Sequence, residues 1–172
     1  MRRTALILSA ALWIALPISN SAQELAIENK GELLLISDYR TIVEIEHDSR
    51  HLYHLQTKAL VAHLGGWARP ANEDGSEIDS FTGVSEQVIP INLNRIKARI
   101  RRGDVDEEIA SELSEIISVF EKAIETSLEL ASKLELGDLP NASEIYRARS
   151  IPEYERLWRR TYTLRRDIER KL

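Results

Sequence analysis

Residues 104–137 read DVDEEIASELSEIISVFEKAIETSLELASKLELG, and the spacing of their apolar positions decides the fold. Ile109, Leu113, Ile116, Phe120, Ala123, Ser127, Leu130 and Leu134 alternate at intervals of four and three, the repeat of a helix that buries a continuous seam. Ile117, Ile124 and Ala131 follow beside it at seven-residue intervals. A stripe that wide belongs to a helix inside a bundle, because a two-stranded coiled coil buries a narrower one. Asp104 with Glu107 predicts a capping box at the start, and Gly137 a left-handed residue at the end.

Just upstream, residues 91–102 predict a short basic helix with Leu93, Ile96 and Ile100 inward, separated from the seam helix by Gly103. Downstream, Asn141 with Glu144 repeats the capping signal, and Ser150 with Glu153 and Pro152 restarts a helix that runs to the C-terminus. The inner face expected for that helix is Tyr154, Leu157, Trp158, Thr161, Leu164, Ile168 and Leu172. An earlier helix runs from Glu24 or Glu32 to Leu64 and ends at Gly65 and Gly66.

Between them, residues 67–90 carry Pro70, Asn72, Asp74, Gly75, Ser76, Asp79 and Gly83, the turn and breaker residues of one long irregular loop. A calcium loop centred on Gly75 would put Pro70 at its first acidic ligand and Phe81 at its closing glutamate, so that reading fails. The expected fold is all-α: an up-and-down helical bundle of three long helices plus one short helix, with one long loop.

The N-terminus adds a targeting signal. Arg2 and Arg3 precede an apolar run over residues 4–18, then Ser19, Asn20, Ser21 and Ala22. This is the pattern of a secretory signal peptide cleaved near residues 21–22, and the run is shorter than the roughly 20 residues that span a bilayer. A single domain over residues 23–172 remains, with no transmembrane segment expected after cleavage. The chain has no cysteine, so no disulfide framework and no lipid-modified N-terminal cysteine. A periplasmic or secreted location in a bacterial envelope follows as the expectation. The formal charge of −5 becomes −7 without Arg2 and Arg3, which argues against nucleic acid as a partner.

Charge is segregated by helix. Residues 104–138 carry eleven acids against Lys122 and Lys133, residues 91–103 a balance of +5, and residues 139–172 a balance of +4. Antiparallel neighbours on short connections would set the acidic helix between two basic ones. Exposed pairs contribute only about 0–1 kcal/mol each, so the pattern selects an arrangement more than it stabilises one.

Four groups of residues are candidates for chemistry. His47, His51 and His54 share one helical face with Glu44 and Asp48 beside them, a spacing that can chelate Zn, Cu or Ni. A single helix face is flat, however, and a closed site needs a second wall; a polar face that contains histidine is the plainer reading. Arg159 and Arg166 belong to a basic stripe that either docks an acidic partner or pairs with the acidic helix. Arg165 falls between Trp158 and Ile168 and would bind an anion or lay its stem along the core. Arg50 in the polar band of residues 44–54 and Trp67 in the loop of residues 67–90 belong to the surface expected to engage a partner or small ligand, with Trp67 as a plain loop anchor the simpler reading.

Enzyme motifs are missing: no zinc-protease helix, nucleophile elbow or phosphate loop occurs, and every histidine sits on the first helix. The function expected is an exported, non-enzymatic helical-bundle protein that binds a protein partner or small ligand in the envelope, with no cofactor. Part of its wide apolar stripe is open to burial in a homo-oligomer. The alternatives are a periplasmic metal-binding or metal-sensing protein using His47, His51 and His54, and a small helical enzyme acting on an anionic substrate through Arg165.

Overall fold

A computed structural model of the chain describes residues 20–65 and 82–172. Its elements are α1 (Asn20–Leu64), a π-helical turn (Val84–Val88) leading into α2 (Ile89–Arg102), α3 (Glu107–Glu135), α4 (Leu139–Ile145), a second π-helical turn (Tyr146–Ser150) and α5 (Ile151–Lys171). No strand occurs among the described residues. Because α4, the turn and α5 run on without a break, the bundle has four rods, three long and one shorter, as the sequence predicts.

The direction of each rod follows from its cross-links. Tyr39 donates to Glu169 and Tyr53 stacks on Tyr154, so α5 runs antiparallel to α1. Asn92 donates to Asp48 and Arg99 to Asp38, which sets α2 antiparallel to α1 as well. Asp106 reaches Asp38 while Ser127 reaches Gln56, so α3 runs parallel to α1. The topology is up-down-up-down. α3's acids meet basic neighbours as the charge pattern predicts: Lys97 pairs with Glu121, Arg149 with Glu129, Arg160 with Glu112 and Glu115, and Lys171 with Glu108.

The α3 seam is buried along its whole length, from Ile109 to Leu134. Both glycine stops are of one kind. Gly103 has φ 71° and Gly137 φ 69°. At each, the glycine N–H returns to the carbonyl three residues back and the next N–H to the carbonyl five back, which satisfies the last carbonyls of the helix.

The expected caps are corrected in three places. Asp104 is spent closing α2, with its carboxylate 2.8 Å from Arg102 Nε, and the cap of α3 is Asp106, which accepts from Glu108 N–H at 3.1 Å. Asn141 starts no helix, because α4 has already begun at Leu139 with Pro140 in its first turn. Ser150 with Glu153 marks no restart either, since the backbone stays helical through it.

The two π-helical turns explain the last correction and one more. Each ends two residues before a proline, Val88 before Pro90 and Ser150 before Pro152. In a regular helix a proline removes an N–H and its ring collides with the carbonyl four residues back. A turn widened to the i→i+5 pattern relieves the clash without ending the helix. For the same reason residues 82–90, expected as loop, are already helical. Residues 66–81, including Trp67, and residues 1–19, including most of the expected signal peptide, lie outside the described residues.

On α5 the buried positions are Leu157, Thr161, Leu164 and Ile168. Trp158, expected inward, is 47 % exposed. It lies one residue past the seam position Leu157, which rotates it by about 100° to the rim. Leu172, also expected inward, is exposed beyond the last turn.

Candidate functional site

The buried seam of α1 is Asp38, Ile42, Ile45, Ser49, Leu52, Gln56 and Ala59, at alternating spacings of four and three. Three of these seven are polar, and two of them build a layer across the bundle. Gln56 donates to Ser127 Oγ, which donates to the Ala123 carbonyl at 2.9 Å. Beside them Thr126 donates to Glu153 Oε1 at 3.0 Å, and Arg149 donates to Thr126 at 3.1 Å. Ser49, Gln56, Thr126, Ser127 and Ser150 are all buried. This layer divides the apolar core in two. One cluster holds Ile42, Phe120 and Leu157, the other Leu60, Leu130 and Ile145.

A small cavity of about 10 Å³ opens in the layer, lined by Ser49, Tyr53, Gln56, Ser150, Glu153 and Tyr154 among others. Burial pushes the Glu153 carboxyl above its ordinary range, against the pull of Thr126, Arg149 and Lys122. Tyr53 stacks on Tyr154 at 4.3 Å and on Tyr146 at 5.8 Å. Burial and the neighbouring Tyr146 hydroxyl push the Tyr53 phenol up to about 12.

The rim of the α1–α5 seam carries a second feature. Trp158 and Tyr162 stack with centroids 5.6 Å apart, and the Arg165 guanidinium lies 5.6 Å from the centre of the Tyr162 ring. Arg165 is half-buried with carboxylates beside its guanidinium. Its Nε is 3.2 Å from Glu46 and its Nη1 3.9 Å from Glu169, so its charge is balanced across the seam. Trp158 and Tyr162 are 47 % and 41 % exposed. The register of α5 on α1 brings Arg50, which is exposed, level with Trp158. Arg159 and Arg166 flank the ridge and pair along α5 with Glu155 and Glu169.

The remaining candidates lie apart. His47, His51 and His54 are exposed on the outer face of α1, with the His47 and His51 rings stacked at 6.2 Å. Of their carboxylate neighbours, Glu44 pairs with Arg95 of α2, and Asp48 accepts from Asn92 at 2.8 Å through one oxygen while the other lies 3.5 Å from His47 Nδ1. Among the described residues no three of His, Asp and Glu converge as a metal site. On the far side, a groove of about 700 Å³ between α3 and α5 has Ile109, Leu164 and Ile168 for its floor. Its walls include the Arg160–Glu112 and Lys171–Glu108 pairs, so those cations are already matched.

Apolar periodicity does not reveal the polar layer, because Ser49, Gln56 and Ser150 are buried polar residues. It missed Tyr162 and placed Trp158 inside. The signal for both existed, since polar residues in register with a seam mark a layer and an aromatic one step off it marks a rim. Among the described residues no helix is long and apolar enough to cross a membrane. Compared with protein-family models, with curated proteins and with solved structures, the chain matches none of them.

Proposed function

We propose that this chain is an exported helical-bundle module that binds a protein partner through the Trp158–Tyr162–Arg165 ridge. The carrying observation is that two stacked aromatic rings stand exposed on a rigid helix with an arginine against them. Trp, Tyr and Arg are the residues that dominate binding energy at protein interfaces. Export rests on the N-terminal pattern of Arg2, Arg3 and the apolar run that follows.

A photo-crosslinking residue at position 158 tests the surface. In envelope extract it should give one discrete adduct that a Tyr162→Ala change abolishes. The same crosslinker in place of Glu135, at the exposed end of α3, should give none. Equal adducts from both positions would remove the ridge as the binding surface. The N-terminal sequence of purified protein tests export, which predicts a start near residue 22.

A further inference from the structure

The outer face of α1 carries an arrangement of its own, apart from the ridge. His47 and His51 lie one helical turn apart, both exposed, with their rings stacked at 6.2 Å between centroids. Imidazoles at this spacing are the chelating pair of helical zinc sites. A metal ion held at about 2.0–2.1 Å by one nitrogen of each ring sets the ring centres roughly 5 Å apart. A small turn of two side chains closes the difference, and no core packing opposes it. His63 is not available in the same way, since its Nδ1 lies 2.7 Å from the Ala59 carbonyl.

Asp48 distinguishes this pair from a polar face that happens to contain histidine. One of its oxygens accepts from Asn92 of α2 at 2.8 Å, which anchors a carboxylate whose side chain is only 19 % exposed. The other oxygen lies 3.5 Å from His47 Nδ1. A carboxylate on that side favours the tautomer with its proton on Nδ1 and leaves the Nε2 lone pair free on the solvent side. Metal-ligating histidines usually have such an outer partner, and here a second helix holds it in place. Glu44 is taken by Arg95, so a hard cation that wants several oxygens finds too few. Zinc, nickel and copper take imidazole nitrogen instead.

We infer that His47 and His51 bind one divalent transition-metal ion of the zinc, nickel or copper kind, through Nε2 of His47 and a ring nitrogen of His51, with Asp48 orienting His47. Among the described residues no third His, Asp or Glu converges on the pair. The remaining coordination positions therefore face outward and go to water or to a ligand brought by another molecule.

Titration of tag-free, metal-stripped protein with zinc, nickel and copper chlorides, followed by calorimetry and thermal unfolding, tests this. One ion should bind per chain, copper most tightly and magnesium not at all. A saturating ion should raise the melting temperature, because it binds the folded helix and ties two of its turns. His47→Ala and His51→Ala should each abolish the uptake and the gain, and His54→Ala should change neither. Asp48→Asn keeps the shape and should weaken binding roughly 10–100-fold at the same stoichiometry. If that variant does not fold, Asn92→Ala decides: it frees the carboxylate and should weaken binding several-fold. No uptake, uptake unchanged in His47→Ala or His51→Ala, or equal losses in all three histidine variants overturns the site. Wild-type affinity in Asp48→Asn, or in Asn92→Ala where that variant decides, overturns it too, and leaves a polar face that happens to contain histidine.

Discussion

Asp38 Oδ1 lies 2.9 Å from Arg99 Nη2, and the Asp38 side chain is fully buried. Its other oxygen accepts from Asp106 N–H at 2.9 Å, while Arg99 also reaches the Asp104 carbonyl and the Thr41 hydroxyl. One carboxylate thus joins α1 to the end of α2 and the start of α3. Burial pushes its pKa up despite these partners, so the pair specifies the junction more than it stabilises it. Removing one side is a different matter, because it strands a largely buried guanidinium. Asp38→Ala is expected to cost about 3–5 kcal/mol in chemical denaturation.

That junction shows where sequence reading stops. Ile109 to Leu134 announce a buried seam because every position is apolar or small, and the charge blocks announce which helices adjoin. Asp38, Ser49 and Gln56 occupy equivalent positions on α1, but a polar residue declares itself buried only once its partner is known. Asp38 needs Arg99, which is 61 residues away, and Gln56 needs Ser127, which is 71 away. The prolines mislead in the opposite sense. Pro90 and Pro152 read as helix boundaries, and a widened turn carries the helix past each of them. The aromatic ridge stayed hidden because a one-residue choice of seam decides whether Trp158 faces the core or the rim.

The Gln56–Ser127 pair makes a prediction about the layer. Ser127→Ala leaves the Gln56 amide without its buried partner and should cost about 1–3 kcal/mol. Gln56→Leu together with Ser127→Ala replaces both sides by apolar groups and should recover most of that loss. A double-mutant cycle from urea denaturation measures the coupling. A double variant no better than the Ser127→Ala single would mean that the layer does not act through this pair.

Glu153 sets a pH dependence in the acid range. Its folded pKa stands above the unfolded value, so the protonated form is favoured by folding. The stability this group contributes is complete below its ordinary pKa and declines as pH rises through the folded one. Glu153→Gln mimics the protonated state and keeps an oxygen to accept from Thr126. The variant should match wild type near pH 4 and melt higher at pH 7. Parallel curves at every pH would show that Glu153 does not titrate with folding.

Tyr53 sets another at the alkaline end. With its phenol pushed up to about 12 from an ordinary value of 10.0, the unfolded chain ionises first. The stability it contributes is complete below pH 10 and is lost as pH rises toward 12. Tyr53→Phe should melt with a flatter pH dependence over that interval. Its loss of the stacked tyrosine hydroxyl should leave neutral stability within about 1 kcal/mol of wild type.

Leu157 and Trp158 are adjacent in sequence and opposite in role, which allows folding and binding to be separated. Leu157 is 1 % exposed in the core shared with Phe120, and Leu157→Ala should cost about 2–5 kcal/mol through the cavity it leaves. Trp158 stands on the rim, stacked along its own helix on Tyr162. Trp158→Ala should therefore lower stability by no more than about 1 kcal/mol and leave the helical circular dichroism unchanged. If the ridge is a binding surface, the same change should weaken partner binding at least tenfold, the order set by losing an interface tryptophan. A structural aromatic would show the reverse pattern, with stability lost and binding kept. The ratio of the two effects, measured on purified protein by melting and by titration of the crosslinked partner, distinguishes a ridge built for contact from one that merely finishes the bundle.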